Sequence, residues 1–153
     1  MNNRKLYFLV ALLVTIVVLT LLMTGSSLLN VNLVNYSSIP LGTFITWAGM
    51  MSLPLSVYWG IRRLRKPDSS LTRLLSFLLK IIIAMGILWV PISYLLAGNL
   101  SFSFSETHTF QGGQTAMRWF WGLSYSIGGG TILVPIIYWI SLLFKKNEKK
   151  SMH

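Results

Sequence analysis

The chain has 153 residues, 54% of them apolar and only 10% charged, where an ordinary soluble domain carries roughly a quarter. Thirteen basic and three acidic side chains are too few and too clustered to cover a core of this size, which argues against a water-soluble globule. The complete absence of cysteine excludes disulfides, thiolate metal sites, thiol redox chemistry and cysteine nucleophiles. The expected fold is an all-α membrane protein, a four-span transmembrane helix bundle with a small outer cap of strand character.

The first apolar run, 6–23, follows Arg4 and Lys5. A basic start before an apolar run also describes a secretory signal, but Thr24-Gly25-Ser26-Ser27 lacks a strong small-x-small cleavage pattern, so a retained span is expected. Cleavage would leave three spans and an outer N-terminus. Loop 24–40 carries no charge and contains Leu28-Leu29-Asn30-Val31-Asn32-Leu33-Val34-Asn35. A second span, 41–61, leads to a short basic connection holding Arg62, Arg63, Arg65, Lys66 and Arg73. The third span, 74–97, contains Lys80, the one formal charge inside any of the runs.

Loop 98–118 includes Ser101-Phe102-Ser103-Phe104-Ser105-Glu106-Thr107-His108-Thr109-Phe110. Its alternation has the period of a strand, which places Phe102, Phe104, Glu106, His108 and Phe110 on one face. A lone strand leaves backbone groups unpaired, so the two outer loops are expected to meet as a small sheet or hairpin, with Gln111-Gly112-Gly113-Gln114 as the exit turn. The fourth span, 119–144, precedes a basic tail, 145–153, expected to be disordered. No internal repeat or separate soluble domain is visible.

Basic residues set the orientation. Those before the first span, between the second and third, and after the fourth (Lys145, Lys146, Lys149, Lys150) mark cytoplasmic segments, and only Arg118 falls in an outward loop. Both termini are therefore expected in the cytoplasm, in the inner membrane of a bacterium. Trp119, Phe120 and Trp121 suit the outer interface, and Tyr58, Trp59, Tyr138 and Trp139 the inner one.

Few residues suggest chemistry. Lys80 lies seven residues past Arg73, about 10 Å along a helix, close enough for its stem to carry the charge back to the headgroups. Pro54, Pro91 and Pro135 place one proline in each of the last three spans; such breaks build transport sites in some proteins, but they also occur in merely bent packing helices, and no acidic side chain lies nearby. The spacing of Gly122, Ser126 and Gly130 suits close approach of another helix, within the chain or from a partner. Glu106 and His108 form the one acid and imidazole pairing, yet the adjacent serines point to the opposite strand face and no third group supports catalysis. His108 and His153 lie on opposite sides of the membrane by this topology, so no metal or haem site and no other cofactor is expected. The clusters around Arg62, Arg63, Arg65 and Lys66 and around Lys145 and Lys146 abut span ends, where lipid headgroups rather than nucleic acid are the expected partners. Asn35-Tyr36-Ser37 and Asn99-Leu100-Ser101 match the glycosylation acceptor pattern, which matters only in a eukaryotic source.

Taken together, these features point to a non-catalytic interaction protein that binds another membrane protein or itself, using the Gly122 helix face and the loop around Phe102, Phe104, Glu106 and His108. An accessory subunit or an immunity- or exclusion-type protective protein has this general size and span count. A small transporter or channel using the proline-broken helices is the alternative, and a lipid-modifying enzyme the third.

Overall fold

A computed structural model describes residues 3–34, 37–98 and 110–151. Its elements are α1 (Asn3–Thr24), a 3-10 turn (Ser27–Asn30), strands β1 (Asn32–Val34) and β2 (Ser37–Pro40), α2 (Leu41–Gly60), α3 (Arg62–Arg65), α4 (Ser70–Ile87), α5 (Trp89–Ala97) and α6 (Gly113–Ser151). The architecture is mainly helical. Among the described residues three helices are long and apolar enough to cross a membrane: Asn3–Thr24, Ser70–Ile87 and Gly113–Phe144.

α2 matches the expected second span in length but is not among these three, and Gly42, Thr43, Thr46, Gly49, Ser52, Ser56 and Gly60 interrupt its larger apolar side chains. Those residues are there for packing. α2 is central, in contact with α1, α4, α5 and α6, and small side chains let neighbouring backbones come close where lipid tails give helices no hydrophobic reason to associate. A β-carbon built on Gly49 would lie 2.6 Å from Val18 Cγ1, and one on Gly60 would lie 3.0 Å from Phe8 Cε2. α1 buries only Ala11, Thr15 and Val18, one stripe at helical spacing. The Thr15 hydroxyl donates to the Ala11 carbonyl (2.8 Å) and lies 3.0 Å from Ser52 Oγ, joining α1 to α2.

The expected third span is two helices. A capping box starts α4 earlier than position 74: Ser69 Oγ accepts from Thr72 N, and Thr72 Oγ1 accepts from Ser69 N. α4 ends before Leu88 because Pro91, inside α5, has no N–H to offer the Ile87 carbonyl one turn earlier. The Trp47 indole donates to that carbonyl instead, at 3.1 Å. α4 and α2 meet where a β-carbon on Gly86 would stand 2.5 Å from the Met50 carbonyl oxygen.

α6 also departs from expectation, extending beyond 119–144 at both ends. It begins at Gly113, so Arg118 is helical rather than in a loop, and it continues to Ser151 in place of a disordered tail. Lysine and glutamate are good helix formers, and cations complement the negative end of the helix dipole.

Two clusters form the core. One joins Leu64, Leu75, Leu79, Val134 and Tyr138; the other joins Trp89, Phe120, Leu123 and Ile127. Trp89 Nε1 donates to Ser124 Oγ (2.9 Å), which donates to the Phe120 carbonyl (2.9 Å), tying α5 to α6. Tyr7 lies against Trp59, 5.2 Å between rings. With Leu64 and Tyr138 in one cluster, this brings the start of α1, α3 and the later half of α6 to one end of the bundle.

At the other end, β1 and β2 pair antiparallel within the first loop, Asn32 opposite Pro40 and Val34 opposite Ser37. The strand expected in the second loop, with Phe102, Phe104, Glu106 and His108, lies outside the described residues.

Candidate interaction face

α6 has two sides. Phe120, Leu123, Ser124, Ile127, Thr131, Val134 and Tyr138 recur every three or four residues and are buried against α4 and α5. The opposite side exposes Trp119 and Tyr125 (each 69%), Trp121, Ile132 and Leu133. Between those large side chains lie Gly122, Ser126 and Gly129, all exposed. A β-carbon on Gly122 or Gly129 would meet nothing within 4 Å.

The expected grouping of Gly122, Ser126 and Gly130 is therefore corrected at its last member. A β-carbon on Gly130 would lie 2.9 Å from Ile82 Cδ1, so this glycine faces α4. Eight residues advance a helix about 80° beyond two full turns, whereas seven fall only about 20° short of two, so Gly129 shares the face of Gly122. Trp121 and Tyr125 stack beside Gly122 with centroids 5.5 Å apart and planes 23° apart. Together with Gln114, Met117 and Arg118 they line a shallow depression at the start of α6.

The second loop emerges next to this face. Gly98 caps α5 in the left-handed region (φ 75°), and Gln111 N donates to the Ala97 carbonyl at 3.0 Å, so the two ends of the segment are clasped together. Gly112 packs on the Leu96 carbonyl, where no β-carbon fits. Phe110 meets Phe120 edge to face at 5.9 Å. The segment bearing Phe102, Phe104, Glu106 and His108 thus leaves and returns at the junction of α5 and α6, although those four residues are outside the described part of the chain.

The basic residues divide by environment. Arg62, Arg63 and Lys66 are exposed, and Arg63 Nε lies 3.6 Å from Asp68 Oδ2. Arg65 is half-buried, with its guanidinium carbon 5.3 Å from the centre of the Trp59 ring and its Nε buried without a hydrogen-bond partner. Nothing in the sequence reading distinguished Arg65 from its neighbours; the signal was Trp59 six residues earlier, just across the end of α2. Lys80 is exposed on α4, and Lys145 and Lys146 continue the backbone of α6.

Two of the three prolines release carbonyls that are already covered. The Ile87 oxygen freed by Pro91 is taken by Trp47, and the Met50 oxygen freed by Pro54 packs on Gly86. Among the described residues no three His, Cys, Asp or Glu side chains gather in a metal-binding group. The chain matches no family model, and no curated protein or solved structure matches it.

Proposed function

We propose that this is a small, non-catalytic integral membrane protein that binds a partner membrane protein through the outer half of α6, as an accessory subunit or a protective protein does. The observation that carries this reading is the open Gly122, Ser126 and Gly129 stripe between stacked aromatic rings. Small residues at this spacing allow a second helix to approach closely, and none of the described residues occupies the place.

The reading includes four membrane crossings with both termini in the cytoplasm of a bacterium. α2 supports the fourth crossing: its 20 residues reach about 30 Å, the thickness of the hydrocarbon layer. Its buried small polar residues face other helices rather than lipid, so they do not bar it from the bilayer. Arg4, Lys5 and the 62–66 cluster lie at one end of the bundle, as the positive-inside bias requires. The β1–β2 hairpin and the clasped ends of the second loop, Gly98 and Gln111, then lie on the outer side. Covered proline carbonyls favour an interaction protein over a transporter, which would use such groups to bind its cargo.

The test is photo-crosslinking in intact native membranes from a probe at Ser126. A discrete adduct of one partner is expected from Ser126 and none from a probe at Phe77, exposed on α4. Equal labelling from both, or labelling of lipid alone, would sink the proposal. Reporter fusions after Lys66 and after His153 should both read as cytoplasmic.

A further inference from the structure

The side of α1 turned toward α2 is not fully filled. A groove of about 520 Å³ runs between these helices, lined by Tyr7, Val10, Ala48, Met51, Leu55 and Trp59 among other apolar side chains. From Ala48 to Trp59 the groove follows α2 for about 16 Å, comparable with the half-thickness of a bilayer's hydrocarbon layer. Its floor is made by small residues: Ala11 and Ser52 contribute to the lining where bulkier side chains would close it.

The end of the groove at Tyr7 and Trp59 is positively charged. Arg4 and Lys5 precede Tyr7 by three and two residues, and Arg62, Arg63, Arg65 and Lys66 follow α2 directly. Asp68, the one carboxylate of this connection, is paired with Arg63. Among the described residues Arg65 has no such partner. Its guanidinium carbon lies 5.3 Å from the centre of the Trp59 ring, which lines the groove, and its buried Nε has no hydrogen-bond partner. A guanidinium held over an indole still has its terminal Nη groups to offer a phosphate, and the contact with the ring reduces the side-chain freedom lost when those bonds form.

We infer that this groove holds one anionic glycerophospholipid of the cytoplasmic leaflet, an acyl chain lying between α1 and α2 and the phosphate on Arg65. The inference rests on the membrane reading above and sharpens it, from general attraction of basic residues to headgroups into a single site with a polar and an apolar half. An apolar slot beside a cation that has no acidic partner among the described residues matches both halves of such a lipid. A free phosphate would use only the cation, and a neutral lipid only the slot.

The test uses the full chain, purified in mild detergent and stripped of lipid, then titrated with phosphatidylglycerol and followed by native mass spectrometry and tryptophan fluorescence. A one-to-one adduct is expected. Arg65→Gln should lower its occupancy about tenfold, the size expected for loss of a charge-assisted pair. Arg63→Gln removes the same charge from an exposed, already paired position and should change occupancy less than about twofold. Ala48→Phe, which fills the slot, should also remove the adduct. Equal effects of Arg65→Gln and Arg63→Gln would show diffuse attraction and overturn the site, as would equal binding of phosphatidylcholine. Adduct formation by glycerol phosphate at the same concentration would reduce it to an anion site and overturn the lipid assignment. Topology is read separately by the reporter after Lys66: a far-side signal refutes the orientation while leaving the adduct measurement to decide the site.

Discussion

Glycine lies on two surfaces of this molecule with opposite consequences: the seam between α2 and α4, and the outer half of α6. At the seam, a β-carbon on Gly86 would stand 2.5 Å from a backbone oxygen of the neighbouring helix. On α6, a β-carbon on Gly122 would touch nothing. In lipid, helices attract one another chiefly through close packing and a few hydrogen bonds, so a glycine that admits a backbone marks a contact already made. A glycine facing open space between stacked aromatic rings offers the same geometry to a helix from elsewhere. The seam is a contact the fold has made; the open face is where the proposed partner would make another.

Gly86→Val should break the seam outright. Because the obstacle is the Met50 backbone, which cannot rotate away, the cost should be about 3 kcal/mol or more. It is measured as loss of the folded fraction in a detergent-unfolding titration, and a wild-type midpoint would show that α2 and α4 do not pack this way. Gly130→Leu comes next, at about 2 kcal/mol, since its obstacle is the end of the Ile82 side chain, which can shift. Trp89→Phe keeps the ring in the cluster with Phe120 but deletes the donor to Ser124. It should cost about 1 kcal/mol in the same titration.

The helical, largely apolar character of the chain was legible in the sequence because length and apolarity are linear properties. The ends of α1 and α2 fall close to the boundaries of the first two runs for that reason. The packing of α2 was harder to read: Gly49, Ser52 and Gly60 look like dilution of an apolar run until Val18, Thr15 and Phe8 are seen against them. Pro91 foretold a disturbance in the third span, but not that Trp47, 40 residues distant in sequence, would satisfy the carbonyl it freed. The face on α6 was read one residue out of phase. Spacing by fours drifts round a helix of 3.6 residues per turn, so Gly122 and Ser126 share the open side while Gly130 turns to Ile82. Arg65 was hidden among four neighbouring cations, since what separates it from Arg63 is the Trp59 ring beside it, a fact of three dimensions.

The smallest effect on stability should come from Gly122→Leu, and that variant divides the two surfaces most cleanly. Its new side chain enters open space on an exposed face, so the unfolding midpoint should move by less than about 0.5 kcal/mol, in contrast to Gly130→Leu eight residues away. Co-purification with the partner should nevertheless be lost, because a leucine there separates two backbones that glycine lets approach. A Gly122→Leu protein that both folds normally and keeps its partner would free α6 from the interface. One that unfolds like Gly130→Leu would mean that the apparently open face is covered within the chain itself, and the distinction between the two glycine surfaces would fail.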